Sequence, residues 1–214
     1  MNNIPTPFLP LLGDGKGRYR VRIVGNSGSG KTTTGAALAA ILGVPFIPMD
    51  KIFWNPGWRE STPEEFQAKL RDALAHAEHG WVVDGNYESK SSAIVMGQVT
   101  DIIWLDPPLY VYFPRILIRT ILRLFRLGTP CAPGCDERLG EVLSKEGILW
   151  WCLSNHTPCR AKNTERFRVM GVENGTDTEN RKMRRFGGWG EDVRAWLKDV
   201  ADMVTGSGQK VKAD

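Results

Sequence analysis

The most informative part of this 214-residue sequence is Gly25-Asn26-Ser27-Gly28-Ser29-Gly30-Lys31-Thr32. It satisfies the pattern G-x-x-x-x-G-K-[ST] without a mismatch. In this pattern the glycines let the backbone wrap with its N–H groups directed inward, and the positive end of the following helix points to the same place. The segment predicts a loop that holds the phosphates of a nucleoside triphosphate. Its expected binding residues are Gly25, Asn26, Ser27, Gly28, Ser29, Gly30, Lys31, Thr32 and Thr33.

The flanking sequence has the order that such a loop requires. Tyr19–Val24 alternates and ends in an apolar pair, which indicates a strand. Lys31–Leu42 carries Ala and Leu at helical spacing and stops at Gly43, which is typical of a helix. Lys31 can reach the β- and γ-phosphates, and the hydroxyl of Thr32 can ligate magnesium. ATP with Mg²⁺ is therefore the expected cofactor.

Strands alternate with helices along the rest of the chain. Further strands are predicted at Val44–Met49, Gly80–Asp84, Asp101–Asp106 and Phe167–Val172. Further helices are predicted from Thr62 to about Glu78, from Pro114 to Gly128, over Glu137–Leu153 and over Glu191–Val204. This order predicts an α/β fold of the P-loop NTPase type. It is a three-layer sandwich of a five-stranded parallel sheet with helices on both faces and a helical lid.

Charge and apolar patterning narrow the expected partners. The net charge of +4 suits an anionic ligand. It does not by itself indicate nucleic acid, because nucleic-acid binding usually requires a dense basic stripe. The most apolar stretch, Ile102–Phe125, contains Asp106 and several arginines, so it is not expected to span a membrane. No signal peptide is expected at the N-terminus. We therefore predict a soluble cytoplasmic protein without a membrane partner; the sequence predicts no oligomeric state.

The cysteines are too few for a secreted disulfide scaffold. They are Cys131, Cys135, Cys152 and Cys159. The first two lie close together in the predicted lid, but a zinc site needs two close pairs of ligands. Free thiols are the preferred interpretation. The histidines, His76, His79 and His156, show no ligand spacing and are interpreted as surface or packing residues.

Three predicted strands end on an aspartate: Asp50, Asp84 and Asp106. Ligands of parallel sheets sit beyond the carboxyl ends of the strands, so these acids are expected at one rim. A magnesium–triphosphate site needs a nearby carboxylate, and Asp84 is the preferred metal residue beside Thr32. Asp106 is interpreted either as an acid of this site or as a residue that caps the turn into the next helix. Asp50 is interpreted either as facing a phosphoryl acceptor or as an ordinary loop carboxylate.

A row of arginines marks the predicted helix that follows. Arg115, Arg119, Arg123 and Arg126 are four, four and three residues apart and fall within an arc of roughly 80°. The structural interpretation is the solvated face of an amphipathic helix. The functional interpretation is that four like charges without an interleaved acid face an anionic partner, since phosphoryl transfer needs cations over the migrating group. Arg115 and Arg119 are the preferred functional pair.

With these motifs the chain resembles the adenylate-kinase-related P-loop kinases, in particular the subgroup of DNA-topology-modulation (FlaR-like) proteins. The resemblance covers roughly residues 19–160. Its motifs are Gly25–Thr32, Met49–Trp54, Val83–Tyr87, Ile103–Asp106 and Arg115-x3-Arg119. The loop is common to P-loop proteins at large, and the segments around Phe53-Trp54 and Asp84-Gly85-Asn86-Tyr87 narrow the resemblance.

The resemblance implies roles for particular residues. Arg115 and Arg119 stand at the positions of lid arginines, and Arg160 matches a later arginine that contacts phosphate. Asn86-Tyr87 replaces the Phe-Pro-Arg of adenylate kinases, so an arginine that would bind the acceptor's phosphate is absent. The subgroup's name implies a link to DNA, but no DNA-reading element is visible and nucleic acid is not an expected partner.

These expectations lead to one leading hypothesis and two rivals. The leading hypothesis is an ATP- and Mg²⁺-dependent phosphotransferase with an unidentified small-molecule acceptor, plausibly a nucleotide or nucleoside. Its catalytic residues would be Lys31, Asp50, Arg115 and Arg119. The rivals are a nucleotide-binding regulator or slow hydrolase without an acceptor, and a protein that binds nucleic-acid phosphates through its basic helix.

The domain boundaries follow from the same sequence features. A flexible leader is expected at 1–17, a P-loop kinase-like domain at 18–205 and a mobile tail at 206–214. The helical lid is expected at about 110–160. Residues 181–185, a basic run, are interpreted either as a solvated loop or as an edge of the nucleotide-base site.

Overall fold

The structure is a computed structural model that describes residues 9–142, 144 and 147–211. Its elements in chain order are β1 (Tyr19–Val24), α1 (Lys31–Leu42), β2 (Phe46–Pro48), α2 (Met49–Phe53), β3 (Trp54–Asn55), β4 (Arg59–Glu60), α3 (Pro63–Ala75), β5 (Gly80–Asp84), α4 (Glu88–Val95), β6 (Asp101–Leu105), α5 (Leu109–Leu124), α6 (Leu139–Val142), α7 (Ile148–Ser154), α8 (His156–Met170), β7 (Met183–Phe186) and α9 (Glu191–Val211).

Five strands form one parallel sheet in the order β2-β5-β1-β6-β7. β1 lies at the centre, where Val21 is opposite Val82 of β5 and Asp101 of β6. The short strands β3 and β4 pair with each other in a separate antiparallel hairpin. Because the five strands run the same way, their carboxyl ends meet at one edge, and the loop after β1 starts there.

Helices cover both faces of the sheet. On one face α1 and α9 pack over the sheet, with Leu38, Trp196 and Val200 in one cluster with strand residues such as Ile23 and Ile103. On the other face α3, α4 and α8 lie over a second cluster, which includes Phe66, Leu70, Val95, Trp81, Val83 and Phe167. All five residues of β5 and of β6 are buried, as expected for strands covered on both sides. The predicted three-layer α/β sandwich is confirmed.

The fifth strand differs from the prediction. Residues 167–170 belong to α8, because Phe167 and Met170 pack from that helix against the core, so the predicted strand at Phe167–Val172 is wrong. The fifth strand is β7, which lies within the basic run and pairs with β6. Its charges are neutralised by ion pairs with acids at the two ends of β6, Arg184 with Asp101 and Arg185 with Asp106.

Two helix predictions also need correction. α5 begins at Leu109, so Pro114 lies inside the helix rather than at its start. A proline there leaves the carbonyl of Tyr110 without its helical donor, and the exposure of Tyr110 allows water to satisfy it. The single helix predicted over Glu137–Leu153 is two short helices, α6 and α7, and α7 starts after Gly147.

The described part of the predicted leader is held against the domain. Leu11 is buried, and the backbone N–H groups of Leu12 and Gly13 donate to the carboxylate of Asp101 at 2.8 and 3.0 Å. The indole of Trp196 donates to the carbonyl of Pro10. At the other end, α9 continues through residue 211, so only 212–214 of the predicted tail lie outside the described residues.

Candidate functional site

The loop between β1 and α1 has the backbone that its glycines permit. Gly25, Gly28 and Gly30 have φ values of 144°, 77° and 99°, in the region that favours glycine. A Cβ on Gly28 would lie 2.5 Å from Cγ1 of Ile116 and 2.9 Å from the carbonyl oxygen of Tyr112. α5 therefore packs directly onto the loop, and only glycine allows so close an approach.

The side chain of Asn26 connects this loop to α5 and α7. Its side-chain amide donates to the hydroxyl of Tyr112 at 2.9 Å and to the carbonyl of Cys152 at 3.0 Å, and its Oδ1 accepts from the backbone of Ser27. The Tyr112 hydroxyl also lies 2.6 Å from Nδ1 of His156. His156 thus belongs to a network that supports the loop. Sequence reasoning missed this role because no spacing links these residues.

Asn86 supports the start of the loop from the other side. Its amide nitrogen donates to the carbonyl of Gly25 at 2.8 Å, and its Oδ1 accepts from the Gly25 N–H at 3.4 Å. One side chain thereby satisfies both backbone groups where the chain leaves β1. The Asp84-Gly85-Asn86-Tyr87 segment was singled out in the sequence, but this contact of Asn86 was not predicted.

Lys31 and Thr32 occupy the first turn of α1. The ammonium of Lys31 donates to the carbonyl of Asn26 at 2.9 Å, so it lies over the loop. Burial lowers the pKa of Lys31, while Asp84 and Asp50 act in the opposite direction. The hydroxyl of Thr32 donates to Oδ2 of Asp84 at 2.8 Å, and Thr33 beside it is exposed.

Asp84 is the buried acid of the site, at 3% exposure at the end of β5. Burial raises its pKa, and the hydrogen bond from Thr32 and the charge of Lys31 partly offset that effect. The Thr32 hydroxyl and the Asp84 carboxylate are hard oxygen donors, which are the ligands that Mg²⁺ prefers. The donor set therefore fits the expected ion.

Asp50 lies in the short helix α2 at the same edge of the sheet. The hydroxyl of Tyr87 donates to its Oδ1 at 2.7 Å, and this bond holds the carboxylate in one orientation. Burial and then Asp50 raise the pKa of Tyr87, so the phenol keeps its proton. The neighbouring Trp54, Phe53 and Tyr87 form an aromatic wall in which Phe53 contacts the other two rings.

Arg119 of α5 is turned toward the interior of the protein. It is half-buried, and its Nε is buried without a hydrogen-bond partner among the described residues. Burial and the charge of Arg123 lower its pKa, whereas Asp50 acts in the opposite direction. Arg119 also acts on the pKa of Lys31. Asp84, Asp50 and Arg119 thus all lie within electrostatic range of Lys31.

The other arginines of the row do not join this group. Arg115 is exposed and has no ion pair or hydrogen bond with any residue that the structure describes. Arg123 instead donates to the carbonyl of Thr129 and pairs with Glu137. Arg126 lies beyond the helix with a φ of 56°. The four arginines of the row therefore lie in different environments.

Asp106 holds two arginines just after β6. Arg160 of α8 donates to its Oδ2 at 3.2 Å, and Arg185 of β7 does so at 2.6 Å. Asp106 and Arg160 border a small pocket beside the loop, which Asn26, Ser29 and His156 also line. Asp106 is thus an ion-pair acceptor that orients Arg160, and the strand-end acid nearest the Thr32 hydroxyl is Asp84.

A buried arginine links the same segment to α8. Arg22 of β1 is fully buried, and its guanidinium lies 3.5 Å from the carbonyl of Gly85 and 4.0 Å from the carboxylate of Glu88. Arg166 and Lys162 of α8 also bind Glu88. Burial alone would raise the pKa of Glu88, but hydrogen bonds from Arg166 and Lys162 lower it to about 2. This cluster holds the segment after β5 in place.

The cysteines are free thiols distributed over different elements. Cys131 and Cys135 precede α6, Cys152 lies in α7 and Cys159 in α8. Within the described ranges no group of three or more His, Cys, Asp or Glu residues could hold a metal ion. The Sγ of Cys159 lies 3.8 Å from the amide nitrogen of Asn86, and burial raises the pKa of the thiol.

No helix in the described part of the chain is both long and apolar enough to cross a bilayer.

Comparison with known proteins gives fold-level matches only. No family model matches the chain, and no curated protein matches it. Three similar solved structures are a shikimate kinase from Bacteroides thetaiotaomicron, a gluconokinase from Sinorhizobium meliloti and a sugar kinase from Janibacter. Their identities are 15%, 17% and 16%, and their TM-scores 0.47, 0.44 and 0.43. They cover 89%, 90% and 85% of this chain, and 98%, 97% and 91% of their own chains.

The parallel sheet, the helices on both faces and the glycine loop between β1 and α1 together form the P-loop NTPase fold that the sequence predicted. The narrower resemblance to DNA-topology-modulation proteins stays a prediction.

Proposed function

We propose that this protein is a Mg²⁺-dependent phosphotransferase that moves the γ-phosphoryl group of ATP to a small molecule. One observation supports the proposal: Lys31 lies over the phosphate loop, Thr32 bonds Asp84, and the charges of Asp50 and Arg119 both act on Lys31. A loop that only binds a nucleotide would need Lys31 and Asp84 alone. Asp50 and Arg119 add a further carboxylate and a further cation.

The donor half would consist of the loop and its helix. The backbone N–H groups of residues 25–33 would hold the phosphates, and Lys31 would move from the Asn26 carbonyl to the β- and γ-phosphates. Thr32 and Asp84 would hold Mg²⁺, which supplies charge neutralisation at the phosphates when bound. Arg160, at the pocket beside the loop, is the proposed further contact to the nucleotide.

The transfer half would consist of Asp50 and Arg119. Asp50, oriented by Tyr87, would accept the proton of the acceptor's hydroxyl as its oxygen forms a bond to the γ-phosphorus and ADP leaves. Arg119 would stabilise the charge that spreads over the phosphoryl oxygens. Arg115, the other arginine of the predicted pair, is exposed one turn away and would not belong to the transfer half. Residues 18–205 would form the catalytic unit, with the helices between about 110 and 160 as its lid.

A coupled assay of ADP release tests the proposal directly. The full chain is incubated with Mg-ATP and a panel of nucleosides, nucleotides, sugars and hydroxy acids. A phosphotransferase releases ADP only with an acceptor, and Asp50→Asn lowers kcat at least about 100-fold while ATP binding is unchanged. Lys51→Ala, an exposed neighbour in α2, is the matched control.

Two outcomes would reject this function in favour of the rivals. ADP release that is equal with and without acceptors, and equal in Asp50→Asn, identifies a slow hydrolase. Tight ATP binding without turnover across the whole panel identifies a nucleotide-binding regulator.

A further inference from the structure

The face of α5 that points away from the site is apolar and exposed. Ile118 is 59% exposed and Phe125, just after the helix, is 72% exposed. Four further large apolar side chains on this face are exposed, namely Tyr110, Leu117, Ile121 and Leu122. At 3.6 residues per turn the six positions span about 140° of the helix. Buried Tyr112, Ile116 and Thr120 lie on the opposite side.

The neighbouring helix α7 packs against the opposite side of α5, where Cys152 lies in one cluster with Tyr112 and Ile116. The exposed apolar arc of α5 is therefore not covered by α7. A soluble domain seldom leaves so many large apolar side chains on one helix face in water, so a face of this kind indicates an interaction surface. We call the exposed apolar residues of α5, together with Phe125, the outer face.

The charges beside the outer face indicate which class of partner could cover it. α5 contains Arg115, Arg119 and Arg123 but no acid, and α7 contains no charged residue. Arg115 and Arg126 are exposed and border the apolar arc on one side. A helix with apolar residues on one face and arginines along its border is typical of segments that lie on a membrane surface.

A second copy of the chain fits this pattern less well. Two outer faces packed together would bring the arginines of both copies to one interface, and neither α5 nor α7 contains an acid to pair with them. Lipid headgroups with negative charge would neutralise the same arginines while the acyl chains receive the apolar side chains.

We propose that the outer face binds the surface of a bilayer that contains anionic lipid. The protein would lie on the membrane without crossing it, since no described helix is a membrane span. Ile118 and Phe125 would enter the boundary between headgroups and acyl chains, and Arg115 and Arg126 would contact the headgroups. Arg119 faces the opposite side of α5, so the proposed catalytic site stays open to solution.

Vesicle cosedimentation of the full chain tests this proposal. The vesicles are phosphatidylcholine alone, or phosphatidylcholine with about one-third phosphatidylglycerol, at low salt. Wild-type protein is expected to sediment with the anionic vesicles, to stay in solution with the neutral ones, and to dissociate as salt is raised. The double variant Ile118→Asp plus Phe125→Asp is expected to bind at least about tenfold more weakly.

Leu9→Asp is the matched control, since Leu9 is 58% exposed and lies outside the outer face. It is expected to bind like wild type. Circular dichroism and thermal melting check that each variant is folded, and the lipid and salt dependence of the wild type tests the proposal even if the double variant is not.

Several results would overturn the proposal. They are absence of wild-type binding to anionic vesicles, equal binding to neutral vesicles, or full binding by the folded double variant. A dimer in light scattering that the double variant dissociates, without vesicle binding, would assign the outer face to a second copy instead.

Discussion

The phosphate loop and helix α5 pack against each other, yet they relate to their sequences in different ways. In the loop, each glycine has the backbone angle that the motif requires, and Lys31 and Thr32 bond Asn26 and Asp84 from the first turn of α1. In α5, the spacing of the arginines predicted either a solvated face or a functional pair of Arg115 and Arg119. The helix half-buries Arg119 and leaves Arg115 and Ile118 exposed. A motif that depends on backbone conformation can thus be recognised from the local sequence. The orientation of a helix cannot, because it depends on the residues against which the helix packs.

The largest expected effect lies in the loop. Lys31→Ala removes the cation that would balance the triphosphate, so kcat/KM for ATP should fall at least about 100-fold. Steady-state kinetics and calorimetric titration with Mg-ATP measure the change. Lys198→Ala, an exposed lysine of α9, should behave like wild type. Normal turnover by Lys31→Ala would mean that the loop does not serve catalysis.

The next effect tests the inward side of α5. Arg119→Ala should lower kcat about 10- to 100-fold, because a charge-assisted contact to the transferring group is lost. Arg126→Ala, on the exposed border, should leave kcat unchanged. If both variants have the same kcat, the distinction between inward and outward arginines has no catalytic meaning.

Alanine variants of two glycines test the packing of α5 against the phosphate loop. Gly28 and Gly15 have similar φ values of 77° and 74°, but a Cβ would meet α5 only at Gly28, since nothing lies within 4 Å of a Cβ on Gly15. Both alanine variants carry the same backbone strain. Gly28→Ala should therefore be less stable than Gly15→Ala by about 1–3 kcal/mol in urea unfolding. Equal stabilities would show that α5 does not press on the loop.

The smallest expected effect concerns the buried acid beside the loop. Burial raises the pKa of Asp84 in the folded state above its ordinary value of 3.8. The folded protein therefore binds this proton more tightly than the unfolded chain does. The resulting stabilisation is complete below pH 3.8 and is lost as the pH rises through the folded-state pKa. Asp84→Asn removes the buried charge. Its Tm should exceed that of wild type slightly at pH 7, and the difference should vanish below pH 3.8.

Asp199→Asn, at an exposed position of α9, should show no such pH-dependent difference. A Tm for Asp84→Asn below that of wild type at pH 7 would mean that the ionised carboxylate stabilises the fold through Thr32 and Lys31.

The amino-acid sequence by itself determined four strands of the sheet, the loop and the acid beside Thr32. Strands of buried residues and a glycine motif depend on local backbone and burial, and those are visible in residue order. The edge strand β7 was not visible, because Arg184 and Arg185 interrupt its pattern and are neutralised only by acids of β6. The sequence also did not show that Phe167 belongs to α8, because the residues against which it packs are distant in sequence.

The tertiary structure alone decided how the site is supported and which face of α5 meets solvent. Asn86 at Gly25, and His156 at Tyr112, are contacts between residues more than 40 positions apart. The orientation of α5 follows from Ile116 and Tyr112 packing over Gly28, a contact that spacing along the helix cannot encode. Local geometry thus specified where phosphate would bind, and packing between distant segments determined which arginine faces that place.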